Sequence, residues 1–172
     1  VGARYAQKIG YKKIFIIDSD VHHGNGTQHT FEEDDNVFYF STHQYPHYPG
    51  TGDESEKGKK GGDGFTYNIP MSSGSGDKQY SSAYNETLPP LVKKFAPDMV
   101  MVSAGYDIHA RDPLSGIKVS DEGIKSIVKG ILSCSELRAL NSGLPFIFAL
   151  EGGYNLQALG NSVLLTVIEM LG

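Results

Sequence analysis

Lys13-Ile14-Phe15-Ile16-Ile17-Asp18-Ser19-Asp20-Val21-His22-His23-Gly24-Asn25-Gly26 is an apolar run that breaks off into two carboxylates and two imidazoles. An apolar run of this length reads as a strand buried on both faces, the pattern of a parallel sheet. Working outward, the same figure recurs. Val37-Phe38-Tyr39-Phe40 runs into Ser41, and Phe65 to Ile69 alternates weakly. Met99-Val100-Met101-Val102 runs into Ser103-Ala104-Gly105, and Phe146-Ile147-Phe148-Ala149-Leu150 runs into Glu151-Gly152-Gly153. Helical patterns lie between these runs. Lys78 to Phe95 places Tyr80, Tyr84, Leu88, Leu91 and Val92 at roughly helical spacing, and Pro89-Pro90 should kink or restart that helix. Asp121 to Leu140 follows Ser120 as N-cap and carries Ile124, Ile127, Val128, Ile131 and Leu132 on one stripe. It should stop near Asn141-Ser142-Gly143. Strands alternating with helices predict an α/β fold with a mostly parallel sheet.

A chain of 172 residues fits one domain and can bury a real core. The net charge of −5 gives no broad attraction to nucleic acid or an anionic membrane. No apolar run approaches the ~20 residues that span a bilayer. Cys134 is the single cysteine, which excludes an internal disulfide and a thiolate cluster for zinc. A metal would have to sit on His and carboxylate side chains. No signal-like segment is visible, so the expected setting is cytoplasmic. Val1 to Ile9 reads as the tail of a helix already in progress, and Ser162 to Leu171 as an apolar-rich helix halting at Gly172. Residues 1–172 are therefore expected to be part of a larger domain; the alternative is a natively short chain. Pro46 to Gly64 holds six glycines and mixed charges at Glu54, Glu56, Lys57 and Lys59, and reads as a long loop, functional or disordered.

In open α/β sheets, ligands bind beyond the carboxyl ends of the strands. Three apolar runs here end in chemically loaded turns: Asp18 to His23, Ser103-Ala104-Gly105-Tyr106-Asp107, and Glu151-Gly152-Gly153-Tyr154-Asn155. Asp18, Asp20 and His22 share one parity, so in an extended segment they face one way. A carboxylate and an imidazole on one side suit Zn²⁺, and a third ligand from another strand end, with Asp107 the natural candidate, would leave a position open for water. The competing reading is that Asp18 and Asp20 cap the next helix and His22 is a satisfied polar residue. His23 has the opposite parity and should face away, bonded to backbone. His29, His43, His47 and His109 read as scattered surface or loop residues, with His47 at a pocket rim. A tyrosine hydroxyl at Tyr154 could donate to a developing oxyanion, or be an ordinary buried tyrosine on a turn.

Together these turns, with Tyr48-Pro49-Gly50-Thr51-Gly52 and Arg111-Asp112-Pro113-Leu114, resemble the zinc-dependent histone deacetylase family of the arginase–deacetylase superfamily. The Ser103-Ala104-Gly105-Tyr106-Asp107 form and Asn25 are similar to its class II and bacterial branch, which includes acetylpolyamine amidohydrolases and acetoin-utilisation proteins. The resemblance implies a three-layer α/β/α fold lacking its N-terminal strands. It implies Asp20, His22 and Asp107 as zinc ligands and Tyr154 as the group that polarises the acetamide carbonyl. Asp18 and Asn25 would stand behind a catalytic His pair. Tyr48, Gly152 and Gly153 would border a narrow substrate tunnel. A structural K⁺ would take ligands from Asp18, Asp20, His22, Ser41 and the Thr42 carbonyl, with a second monovalent site using backbone near Phe31 and Val37.

The tandem His pair of that family, on a Gly-His-His loop, is not among these 172 residues; His22-His23 is not that pair, since its first member is a zinc ligand. The isolated chain is therefore expected to be nearly inactive. The leading reading is a metal-dependent amidohydrolase that removes acetyl groups from acetylated protein or a small acetylated amine. A non-catalytic binding module of the same fold is the alternative, which retention of all three ligands and Tyr154 argues against. An arginase-like two-manganese hydrolase ranks lower, because that chemistry needs more carboxylates. An Asp₂His set also suits Fe²⁺ or Co²⁺. Substrate and oligomeric state are left open.

Overall fold

The computed structural model describes residues 1–137 and 143–172. Helix α1 (Gly2–Lys8) leads into β1 (Ile14–Asp18), α2 (Asn25–Phe31) and β2 (Val37–Gln44). A long loop with a 3₁₀ turn at Lys60–Gly62 precedes β3 (Thr66–Met71). Next come α3 (Asp77–Ser82), a π-helical turn (Ala83–Thr87), α4 (Leu88–Phe95) and β4 (Met99–Ala104). The chain then forms α5 (Asp121–Ser133), a 3₁₀ turn (Cys134–Leu137), β5 (Phe146–Leu150) and α6 (Leu156–Leu171).

The five strands form one parallel sheet in the order β3-β2-β1-β4-β5. Side chains alternate across it. Phe15 and Ile17 of β1, with Phe38 and Phe40 of β2, face a core built from Tyr80, Tyr84, Leu88, Val92, Ile124, Ile127 and Ile131. Ile14, Ile16, Val37 and Tyr39 face the other way, onto Ala3 and Ala6 of α1 and Phe31 of α2. Helices thus cover both faces, giving the three-layer α/β/α arrangement, and central strands buried on both sides explain the unbroken apolar runs.

Strand order decides where chemistry can occur. From β1 the chain moves outward through β2 and β3, then returns to place β4 on the other side of β1. Connections therefore leave the carboxyl ends of β1 and β4 in opposite directions, and a crevice opens between them. The Asp18 to His23 turn and the Gly105 to Asp107 turn both empty into it.

The expected restart at Pro89-Pro90 is present, while α5 and α6 differ from expectation, α6 starting at Leu156 rather than Ser162. The helix over 78–95 is in three parts, with Pro89 and Pro90 in the first turn of α4, where missing N–H groups leave no helical bond unmade. The wider π turn sits just where a proline ring would press on the carbonyl one turn back. Helix α5 ends at Ser133 and tightens into 3₁₀ geometry rather than running to Leu140; Leu140, Asn141 and Ser142 lie outside the described residues. Its expected cap is present: Ser120 Oγ accepts from Gly123 N at 3.2 Å and donates to Asp77 Oδ2 at 2.6 Å, tying α5 to α3. Among the described residues, no helix is long and apolar enough to cross a membrane.

Ile17 sits at the centre of the sheet with no exposed surface. Ile17→Ala should lower the unfolding free energy by about 2–5 kcal/mol, read from the urea midpoint. A loss below about 1 kcal/mol would place β1 outside the stabilising core.

Candidate metal centre

Parallel pairing brings three strand ends together. Asp18 is in register with Ser103, and Ala104 with Leu150. Beyond the strands the backbones stay tied: Ser19 N donates to Ser103 O at 3.0 Å, and Tyr106 N to Gly152 O at 2.7 Å. This places Asp20, His22 and Asp107 so that one ligand atom from each lies within 4.8 Å of the others. His22 Nδ1 is 3.0 Å from Asp20 Oδ1 and 3.3 Å from Asp107 Oδ2. The Asp107 side chain is fully buried, while those of Asp20 and His22 are 17% and 25% exposed, so the group opens on one side only.

The hydrogen bonds hold the carboxylates but do not satisfy them. Asp20 Oδ2 accepts from Gly152 N at 2.9 Å, Asp20 Oδ1 from His22 N at 2.9 Å, and Asp107 Oδ1 from Val21 N at 2.8 Å. Asp107 Oδ2 is buried and has no hydrogen-bond donor. Burial, and then the Asp20 carboxylate beside it, push the Asp107 carboxyl well above the ordinary carboxylate range. A divalent cation would supply what this oxygen lacks. Two carboxylate oxygens and an imidazole nitrogen, with one open side, fit the three-ligand pattern of catalytic Zn²⁺, and the same donors accept Fe²⁺ or Co²⁺.

Two glycines make room for the carboxylates. A Cβ on Gly152 would overlap both Asp107 Oδ2 and Asp20 Oδ2, and one on Gly105 would overlap Asp20 backbone and side chain.

The other residues singled out in the sequence fall around this group. Asp18 is turned away from it, accepting from Tyr39 OH at 3.0 Å and from Asp20 N at 3.2 Å. Burial pushes its carboxyl up to about 7, with the Tyr39 bond acting against that rise. Ser41 is the register partner of Asp18 on β2 and shares a 2.9 Å hydrogen bond with His43 Nδ1; Thr42 Oγ1 meets Tyr84 OH at 2.8 Å. Asn25 opens α2. The Tyr48 ring is exposed and stands edge-on to His22 at 6.2 Å, while His47 stacks on His22 at 5.3 Å. Tyr154 follows Gly152 and Gly153 and is 54% exposed as a residue. Partial desolvation, followed by the carboxylates of Asp107, Asp20 and Asp112, raises its hydroxyl above the usual tyrosine value.

Three histidine expectations need correction. His23 does face away, but its partners are side chains, Thr51 Oγ1 at 2.7 Å and Gln28 Oε1 at 2.9 Å, not backbone. His43 and His109 are buried, not on the surface. Their burial is tolerable because the ring nitrogens find partners: Ser41 Oγ and Gly52 O for His43, Asp121 Oδ1 at 3.0 Å for His109 Nε2. Nothing in an isolated histidine signals this.

Two supporting carboxylates were also not singled out. Glu56 accepts from Gly52 N and Asp53 N through Oε1, and from Gln28 Nε2 through Oε2 at 2.5 Å. The long loop carrying Tyr48 and Thr51 is thereby ordered against α2. In the sequence Glu56 was one of four loop charges. Asp112, visible only as part of Arg111-Asp112-Pro113-Leu114, accepts from Tyr154 N at 2.7 Å.

With fold and site in place, comparisons with known proteins point one way. The family model described as Histone deacetylase domain matches residues 1–170. Histone deacetylase 14, chloroplastic, of Arabidopsis thaliana is 44% identical over all of this chain, which spans 40% of that relative. A probable deacetylase of Archaeoglobus fulgidus is 37% identical over 90% of the chain and 42% of its own length. The solved HDA15 HD domain superposes with a TM-score of 0.87 at 39% identity, covering 99% of this chain and 47% of that one. The histone deacetylase Clr3 gives 0.85 at 36% identity, covering 96% and 28%. The chain thus spans less than half the length of these relatives.

Gly152 offers a direct test of the geometry. Gly152→Ala should leave the far-UV circular dichroism unchanged while weakening Zn²⁺ or Co²⁺ binding about tenfold or more, by competition with a chromophoric chelator. Unchanged affinity would mean that the two carboxylates do not meet over this residue.

Proposed function

The chain belongs to the histone deacetylase domain family, and from that premise we propose that it forms the metal-binding half of an amidohydrolase that cleaves N-acetyl amides to acetate and free amine. The observation that carries this reading is the meeting of Asp20, His22 and Asp107 around an unpartnered buried oxygen, with Tyr154 on the adjoining turn. When bound there, a metal ion supplies Lewis-acid polarisation of an amide carbonyl and lowers the pKa of water.

The rest of the chemistry falls to side chains. A tyrosine hydroxyl ordinarily titrates at about 10, so Tyr154 keeps its proton near neutral pH. It can therefore donate to the amide oxygen as that atom gains negative charge, the largest kind of electrostatic contribution in acyl transfer. Tyr48, standing over His22, and the Gly152-Gly153 turn form the walls along which an acylated amine stem would enter. Asp18 and Asn25 would orient a proton-handling His pair supplied from outside these 172 residues. Asp18, Asp20, His22, Ser41 and the Thr42 carbonyl would hold a K⁺ beneath the site, with backbone near Phe31 and Val37 at a second position.

Two observations support residues 1–172 being part of a larger domain. The chain covers 47% of the HDA15 domain at high structural similarity. Ile147 and Leu150 on the edge strand β5, and Leu164 and Ile168 on α6, also stay exposed, an apolar margin that a parallel sheet normally covers. The substrate would be an acetylated protein or a small acetylated amine. A cytoplasmic setting belongs to this reading, while the Arabidopsis relative is named as chloroplastic, and a fluorescent fusion of the full-length protein would separate the two settings.

In the full-length protein, Tyr154→Phe should lower kcat on an acetyl-lysine peptide or an acetylpolyamine by about 10²–10³ with little change in KM. The isolated 172 residues, lacking the His pair, should turn over about 10²–10⁴ more slowly than the full-length protein. Full activity in either would remove the reading's basis.

A further inference from the structure

As the proposed oxyanion donor, Tyr154 must hold its hydroxyl steady, yet the residue is 54% exposed. Two glycines precede it, and Gly153 adopts φ +144°, a conformation available to few other residues. Free to move, such a turn would place a donor poorly, because an error of about 1 Å can cost about 10²-fold in rate. The restraint must therefore act on the backbone.

That restraint comes from the loop after β4. Asp112 is 6% exposed and its carboxylate bridges two segments: Oδ2 accepts from Tyr154 N at 2.7 Å and Oδ1 from Leu114 N at 2.9 Å. The distance to Tyr154 N is that of a charge-assisted bond. Asn155 Nδ2 adds a 3.1 Å bond to Arg111 O, while its Oδ1 caps α6 by accepting from Ala158 N at 3.0 Å. Asp112 N is itself held by His109 O at 2.8 Å. The Asp112 loop is continuous with Asp107, so one segment carries both a metal-ligand candidate and the clamp on Tyr154.

We propose that Asp112 is a positioning residue: its carboxylate clamps the backbone N–H of Tyr154 and so sets the distance between the tyrosine hydroxyl and the metal-ligand group. The proposal rests on Tyr154 acting as the oxyanion donor. Asp112 is not among the three candidate metal ligands, and its bond to the turn after β5 is the one to Tyr154 N.

Asp112→Asn is nearly isosteric but replaces one acceptor oxygen with an N–H₂ donor, so either Tyr154 N or Leu114 N loses its partner. In the metal-loaded full-length protein, kcat should fall about 10- to 100-fold with KM within about threefold and metal content unchanged. The double variant Asp112→Asn/Tyr154→Phe should be no slower than Tyr154→Phe alone, since Asp112 has nothing left to position. Effects that multiply in the double variant, or lost metal, would reveal a general structural role and overturn the proposal. A second arm needs no variant: despite its exposed side chain, the Tyr154 amide should exchange with deuterium about 100-fold or more below the unstructured rate. Exchange at the unstructured rate would overturn the clamp even if Asp112→Asn failed to fold. The two readings fail differently. An inactive Tyr154→Phe beside a full-speed Asp112→Asn overturns the clamp alone, whereas full turnover by Tyr154→Phe overturns the hydrolytic reading and the clamp with it.

Discussion

Two carboxylates meet in a crevice open on one side only, and most of the local structure follows from keeping them there. Asp20 and Asp107 repel one another, and burial raises the energy of the charged form of Asp107 further. Left to local preference, two such groups would separate. Three backbone N–H groups, from Val21, His22 and Gly152, aim at their oxygens and hold them in place. Each donor comes from a turn at the end of a strand in one parallel sheet, so the sheet register sets the spacing of the carboxylates. Reversal of strand order between β1 and β4 leaves the gap in which they sit. The absence of side chains at Gly105 and Gly152 lets the third turn close over them.

A second tier fixes the surroundings. On one side, Glu56 gathers Gly52, Asp53 and Gln28, and Gln28 meets His23 and Asn68. The long loop, otherwise rich in glycine, is therefore anchored from below by a buried polar network, and Tyr48 and His47 are held against His22. On the other side, Asp112 and Asn155 tie the Tyr154 turn to the loop after β4. In both cases a carboxylate accepting main-chain N–H groups orders a segment that has no secondary structure of its own. Such networks are stabilising only when nearly every member is satisfied, and Asn68 Oδ1 is the one atom here left without a partner.

Much of this was legible in the sequence, for a physical reason. Strands buried on both faces must be apolar throughout, so β1, β2 and β4 were visible as runs, whereas the edge strand β3 showed only weak alternation; ends were visible where polarity returned abruptly at Asp18, Ser103 and Glu151. The convergence of Asp20, His22 and Asp107 followed from a general rule about where open sheets bind ligands. What could not be read was anything decided by a distant partner. His43 and His109 looked like surface residues because burial of an imidazole depends on acceptors placed by other elements. Glu56 looked like loop solvation because its partners lie 28 residues earlier and across a turn. The end of α5 and the π turn before Pro89 depend on how helices pack, which periodicity does not encode.

The same centre stands out when motif is set aside and only unmet physical demand is considered. Buried polar groups in a folded chain nearly always find partners, so each exception marks a place where packing was overruled. Asp107 Oδ2 has none, and His47 Nε2, on a ring stacked over His22, has none. The Tyr80 hydroxyl, fully buried in the core, has none either. Two of the five unpartnered buried side-chain atoms among the described residues, Asp107 Oδ2 and His47 Nε2, thus lie at one crevice. A site arranged for the stability of the metal-free chain would have paired them or replaced them with apolar groups. The unpartnered Asp107 Oδ2 locates the conflict between stability and chemistry at the carboxyl ends of β1 and β4, where a bound cation would supply that oxygen with a partner.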